Sequence, residues 1–421
     1  MKLSWFKSRT AMIAAGLIIA ANSVIAQSTP TSDPLTADSK EKVLKRVEKL
    51  LTEVAFVPGA DFKKWPEMLE TYKGQLDGAK NDLEFSNVVN TALQKFGFSH
   101  IMLFPPAATE QRVTQRRAGI GIRIQIEEGG LRITDIFPEG PAAKAGIQPG
   151  DLVVECDGKP VKSVADVSGE KGQKSTIVVV RDGQKKSFEI VRDEYSTVIP
   201  EKLVWDGDIA VITIPTFDIG YSNTNVEKHM TEALEKGKGI VLDLRGNGGG
   251  RVINLQQLAG YFMDPATEPM GTFIGRANVA AWEKETGKTG GSLKEIADFT
   301  KAKVRPMKAK VGPFRGPVAV LINGGSGSAS EMMAAALREH RGAYLVGSRS
   351  AGAVLASIMQ PVPDVKGWTL QLPMFDYVTF KGTRLEGNGL VPDAEAPIAR
   401  IGEPDKGLDN AKAWVKKKIS G

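Results

Sequence analysis

Along the chain the spacing of apolar positions changes three times, and each change marks a different kind of structure. Val43, Val47, Leu50, Leu51 and Val54 recur at helical spacing, and Pro58-Gly59 closes that run. Phe62, Trp65, Leu69, Tyr72 and Leu76 predict a second helix, and Val88, Val89, Ala92, Leu93 and Phe96 a third. Residues 27–115 therefore read as an N-terminal helical domain, a Ser/Thr/Pro-rich linker over 27–37 followed by helices over 38–98. From 116 to 194 short alternating runs take over: Ile120, Ile122 and Ile124, then Leu131, Ile133 and Ile136, then 152–154, 177–180 and 188–190. Glu128-Gly129-Gly130, Asp157-Gly158 and Asp182-Gly183 supply turns, so this stretch predicts a compact β-rich module. From 195 to 402 strands alternate with helices. The runs 209–214 and 343–346 read as strands and 239–244 and 317–322 as continuous apolar strands, with helices expected at 225–236 and 331–338. Such strands predict a buried, largely parallel sheet and an α/β core. Residues 264–312 read as a polar, irregular excursion. Leu408, Ala411, Val415 and Ile419 predict a tail helix over 403–421.

The first 26 residues follow another pattern. Lys2, Lys7 and Arg9 precede an apolar run from Ala11 to Ala21, and Val24-Ile25-Ala26 offers small residues for cleavage. This predicts an export signal over 1–26, with an uncleaved anchor as the alternative, and hence a periplasmic or extracellular protein. No later apolar run is long enough for a membrane span. The chain carries 55 Lys and Arg against 49 Asp and Glu, and three of the basic residues lie in the signal, leaving a net charge of +3. That is too mild and too evenly spread for a nucleic-acid partner. A single cysteine, Cys156, excludes an internal disulfide and any cysteine-based zinc site.

Two glycine-rich turns carry candidate chemistry. The apolar strand ending at Ile322 runs into Asn323-Gly324-Gly325-Ser326-Gly327-Ser328-Ala329-Ser330-Glu331. A serine at the start of the following helix is exposed where unpaired N–H groups and the helix dipole favour negative charge, which suits a nucleophile. Ser328-Ala329-Ser330-Glu331 is equally a plain capping box. The second turn, Asp243-Leu244-Arg245-Gly246-Asn247-Gly248-Gly249-Gly250, could present backbone N–H groups to an oxyanion, or be only a tight turn. It lacks the Gly-Lys-Ser/Thr of a phosphate loop, and Arg251 stands where a dinucleotide fingerprint needs its last glycine. The three histidines are His100, His229 and His340. His340 reads as a surface complement to a helix C-terminus and His229 as the polar margin of a helix. His100 follows the third predicted helix, in Phe96-Gly97-Phe98-Ser99-His100.

These segments resemble known families. Gly140-Pro141-Ala142-Ala143-Lys144-Ala145-Gly146-Ile147-Gln148-Pro149-Gly150-Asp151-Leu152 resembles the PDZ domains of exported proteases. That resemblance covers 116–194 and implies peptide binding at Gly119, Ile120, Gly121 and Ile122. The two glycine-rich turns, with Gly387-Asn388-Gly389-Leu390-Val391-Pro392-Asp393, resemble the S41 tail-specific, or C-terminal processing, serine peptidases. That family implies a ClpP/crotonase-type α/β core with an inserted PDZ domain, Ser328 as nucleophile, and an oxyanion hole from the N–H groups of Gly248 and Ala329. One departure matters. The processing members carry a catalytic lysine where this chain has Ala353, and a glutamine where it has Ser357. The tricorn-like and retinoid-binding-protein-like branches instead use a Ser-His pair and a glutamate. The matching residues are Ser99, His100 and Glu386, which makes His100 the expected base. The resemblance implies no metal or organic cofactor, and peptides or unfolded proteins as partners. The expectation is an exported serine endopeptidase. The alternatives are a catalytically inactive PDZ peptide-binding scaffold and a small-molecule binder on the same core.

Overall fold

The computed structural model describes residues 35–399 and 403–421. The expected export signal lies outside them. Helix α1 (Ala37–Glu53) starts at Thr36, whose side chain accepts the Ser39 N–H, and it buries Val43, Val47, Leu50 and Leu51 along one face. The second predicted helix is broken. A 3-10 turn at 62–64 leads into α2 (Trp65–Glu70), and α3 (Lys73–Gly78) follows. The cause is Pro66: it has no N–H to donate and its ring clashes with the preceding turn, so no helix runs through it from Phe62. After α4 (Asp82–Leu93) come β1 (Met102–Phe104), α5 (Pro106–Thr114) and β2 (Arg116–Gly119).

The β-rich module contains β3 (Ile122–Glu127), β4 (Gly130–Ile136), α6 (Pro141–Ala145), β5 (Leu152–Cys156), β6 (Lys159–Pro160), β7 (Lys174–Arg181) and β8 (Gln184–Val191). Its antiparallel sheet has the order β3-β4-β5-β7-β8, with β6 on β5. Ile120, Ile122, Leu131, Ile133, Val153, Ile177 and Val179 form a core of its own. The chain leaves through β9 (Asp193–Ser196), which pairs antiparallel with β2. The module thus hangs from a two-stranded ribbon.

The remaining elements are β10 (Lys202–Asp206), β11 (Ile209–Thr213), α7 (Asn223–Lys236), β12 (Gly239–Asp243), α8 (Val252–Ala259), β13 (Gly271–Ile274), α9 (Arg276–Thr286), α10 (Leu293–Phe299), β14 (Val318–Ile322), α11 (Ala329–Arg341), β15 (Tyr344–Gly347), β16 (Ala356–Pro361), β17 (Thr369–Thr379), β18 (Ala394–Glu395) and α12 (Lys406–Ser420). The main sheet runs β10-β11-β12-β14-β15-β18 and is parallel apart from the β10–β11 pair. Strand alternation divides its two faces. Ile240, Leu242, Val320 and Ile322 pack in one cluster with residues of α7, α8 and α11. Val241, Ala319, Leu321 and Val346 pack with Ala411 and Val415 of α12. In a second sheet, β17 pairs with β1 and β16 along its first half and with β13 along its second. Leu370 and Leu372 of that sheet, with Leu355 and Trp368 just before its strands, share a core with Trp65, Phe85 and Val89, which anchors the helical region. Residues 264–312 are not the irregular excursion expected from their polarity. They hold β13, α9 and α10, and bury Ile274, Trp282 and Ile296 against Val378. No helix among the described residues is long and apolar enough to cross a membrane.

Candidate active site

Strand β14 is buried at every position and delivers the loop 323–328 to the N-terminus of α11. Side chains stitch this loop to the neighbouring glycine-rich turn. Asn323 Oδ1 accepts the N–H groups of Gly246 and Gly325. Ser326 Oγ donates to Leu244 O at 2.8 Å and Ser330 Oγ to Asn247 O at 2.7 Å. These serines are fasteners, which leaves Ser328 as the serine of this loop that opens on the cleft. Ser328 has φ 52° and ψ −117°. That is left-handed backbone, costly for a side-chain-bearing residue and kept only when its surroundings hold it. The holding contacts are Ser328 N–H to Ala353 O at 2.8 Å and to Glu331 Oε2 at 3.2 Å. Gly249, at φ 95°, lies against the same turn; a Cβ there would sit 2.6 Å from Ser328 Cβ and 2.9 Å from Ala329 N. The N–H groups of Gly248 and Ala329 have no hydrogen-bond partner among the described residues. Two free donors therefore flank Ser328 at a helix N-terminus.

His100 enters from the other wall. Its Nδ1 is 2.7 Å from Ser99 Oγ. Ser99 Oγ donates to Glu386 Oε2 at 2.9 Å, and Ser99 N–H donates to Glu386 Oε1 at 2.7 Å. A hydroxyl has one proton. With that proton on a carboxylate, Ser99 must accept from Nδ1–H, so Nε2 carries the free lone pair. Burial, with the charge of Arg112 as a smaller contribution, pushes the His100 pKa down to about 4. The ring is neutral at neutral pH and able to accept a proton. Ser99, His100, Gly248, Ser328 and Ala329 all line one cleft of about 930 Å³. Glu386 stands behind them, 4% exposed. No hydrogen bond joins Ser328 to His100.

The loop carrying Ala353 is clamped between two buried carboxylates. Glu331, fully buried, accepts from Ser350 Oγ and from the N–H groups of Gly352 and Ala353, both at 2.9 Å. Glu386 Oε2 accepts the Val354 N–H at 2.7 Å. Burial raises the Glu331 pKa, and these hydrogen bonds oppose the shift. The sequence marks Glu331 only as a capping-box residue; its hold on 350–353 is tertiary. Ser357 lines the cleft and accepts from Gln371. His229 lies 3.3 Å from Glu201 O. His340 is more than a surface complement to its helix: its Nε2 meets Pro269 O at 2.7 Å and its ring packs on Phe380.

Gly119, Ile120, Gly121 and Ile122 are not part of the cleft. Ile120 and Ile122 point into the core of the β-rich module. Ile120 O and Gly121 O accept from Ala142 and Phe137, while the N–H groups of Ile120 and Gly121 have no partner among the described residues. Gly121 has φ 81°, and a Cβ there would lie 2.8 Å from Gly140 Cα. Among the described residues no cluster of His, Cys, Asp and Glu could hold a metal ion.

Comparison with known proteins places both halves of this arrangement. The model for peptidase family S41 matches residues 208–396, and that for the PDZ domain matches 118–191. The chain thus carries a peptidase family S41 domain preceded by a PDZ domain. It is 29% identical over 308 residues to a carboxy-terminal-processing protease of Bartonella bacilliformis, covering 69% of this chain and 64% of that one. It is 29% identical over 305 residues to the carboxy-terminal processing protease CtpA of Bacillus subtilis, covering 69% and 58%. The chain therefore spans less than two thirds of the length of either relative. Among solved structures, mature CPAF complexed with lactacystin aligns with a TM-score of 0.53 at 15% identity, covering 90% of this chain and 98% of that one, a likeness of fold.

Proposed function

We propose that this chain is an exported serine endopeptidase whose core is of the ClpP/crotonase type, with Ser328 as nucleophile and His100 as base. The observation that carries this reading is the hydrogen-bonded series Glu386–Ser99–His100. It faces the cleft lined by the strained, half-buried Ser328, in a chain where alanine stands at the position of the family's lysine. His100 Nε2 takes the Ser328 hydroxyl proton as Oγ attacks the substrate carbonyl. The N–H groups of Gly248 and Ala329 receive the oxyanion. Ser99, held by Glu386, keeps Nδ1–H in place and stabilises the imidazolium, which then protonates the departing amine. Water resolves the acyl-enzyme by the reverse proton path. The outer edge of β16, which lines the cleft and pairs with no other described strand, offers backbone groups to an extended peptide. The free N–H groups of Ile120 and Gly121 would take a peptide's terminal carboxylate at the PDZ domain. Export follows from the basic and apolar pattern of residues 1–26.

The test is cleavage of an unfolded protein by residues 27–421, with Ser328→Ala and His100→Ala beside it. Activity abolished by both supports the reading. A second reading, an inactive peptide-binding scaffold, is favoured by Ala353 and by the missing Ser328–His100 hydrogen bond. It stands if the unsubstituted chain cleaves nothing yet binds peptides.

A further inference from the structure

We propose that Arg112 and Arg251 form an anion subsite in the cleft that holds a carboxylate of the peptide substrate; this rests on the peptidase reading above. Apart from the neutral His100, the titratable groups lining the cleft are Arg112, Arg251 and Asp218. Two guanidinium groups therefore share one carboxylate. Asp218 Oδ2 accepts from Arg112 Nη2 at 2.8 Å, whereas Asp218 Oδ1 is 3.8 Å from Arg251 Nε. The Arg251 side chain donates no hydrogen bond among the described residues and is 60% exposed. One positive charge in the cleft is left without a counter-ion.

The backbone fixes where that charge stands. Arg251 N–H donates to Phe217 O at 2.8 Å, and Phe217 N–H to Gly249 O at 2.9 Å, so Asp218 and Arg251 lie side by side. Gly249 abuts the Ser328 turn, which places Arg251 two residues from the nucleophile's neighbour. Arg112 reaches over from α5. Thr109, three residues earlier and also lining the cleft, has a buried hydroxyl with no partner. A guanidinium offers five donors in a planar fork that fits a carboxylate, and here almost all of them are unused. Asp218 acts as the resident anion that an incoming carboxylate must share with or displace. Val113, Ile219 and Val252 also line the cleft, so the anion would sit beside apolar side chains of the peptide. The carboxylate could be the chain terminus or an Asp or Glu side chain.

The test uses fluorescent apolar peptides in matched pairs: free C-terminus against C-terminal amide, and Glu against Gln at internal positions of the amidated peptide. Affinity for the full-length Ser328→Ala protein is measured by anisotropy, and kcat/KM for the unsubstituted chain in parallel. One pair is expected to favour the acid by about tenfold at low salt, the scale of one charge-assisted hydrogen bond at a partly exposed site. Which pair responds identifies the source of the carboxylate. Adding Arg251→Gln should bring the ratio close to one, and adding Asp218→Asn should raise it by removing the competitor. Peptide held at the PDZ domain is common to all these proteins, so only the part that Arg251→Gln removes counts. Ratios near one for both pairs, or a ratio that Arg251→Gln leaves in place, would overturn the subsite. Failure of the unsubstituted chain to cleave any peptide sinks the peptidase reading instead, and the anisotropy ratios still decide the subsite.

Discussion

Ser328 and His100 face one cleft, yet the chain brings each there differently. The serine wall is local: one strand, one loop and one helix start, braced by a second glycine-rich turn on the neighbouring strand. Its geometry is held by backbone conformation, by Ser328 at φ 52° and Gly249 at φ 95°. The histidine wall is assembled from distant segments. Ser99 meets Glu386 across 287 residues of sequence, and the Val354 N–H donates to the same carboxylate. One wall stores its precision in backbone sterics and the other in a buried polar network. Sterics fail when a side chain is added; networks fail when a single donor or acceptor is removed.

Substitutions can break this contrast in order of size. Ser328→Ala and His100→Ala should each lower kcat on an unfolded protein by about 10⁴-fold or more, and the double variant little further, because residues acting as a unit are not additive. Steady-state kinetics on the three proteins would show it. Gly249→Ala puts a methyl against the Ser328 turn and should cost about 100-fold in kcat, the scale of a nucleophile displaced by an ångström. Comparing kcat with the melting temperature separates displacement from unfolding. Ser99→Ala leaves the base in place but releases its tautomer. A loss of about 10- to 100-fold in kcat with KM unchanged is expected, below the full contribution of a general base. Glu331→Gln tests the bridge between the two walls. An amide cannot accept from all of the Ser328, Ser350, Gly352 and Ala353 donors, so stability should fall by about 1–3 kcal/mol in denaturant titration.

The smallest effect is in the pH profile. As the proposed base His100 must be neutral, and burial holds its pKa at about 4. Activity should therefore hold from pH 7 to 5 and fall only as the pH passes through about 4. Arg112 lowers that pKa by its charge, so Arg112→Gln should move the acidic limb of kcat/KM to higher pH. A wild-type limb near 6.5, the ordinary histidine value, would contradict the burial argument.

The layered order of the chain was legible in its sequence, because apolar periodicity reports which face of each element is covered. Two segments escaped it. Pro66 interrupts the 62–78 run at a single position that a periodicity reading passes over, and 264–312 hides two helices and a strand beneath a polar composition. The Ser328 turn could be read because its glycines and serines are contiguous. His100 could be singled out because the chain has three histidines and the resemblance implies a lysine where Ala353 stands.

What the amino-acid order determined by itself is local: helix starts, glycine turns, buried strands, and which side chains have the chemistry to act. Only the tertiary structure decided which of them meet. It placed Glu386 behind Ser99, gave Glu331 a second loop to hold, and set two arginines against one aspartate. The reason is physical. Backbone preference is short-ranged and written residue by residue. A buried hydrogen bond or an uncompensated charge depends on what the fold places a few ångströms away and on the water it excludes.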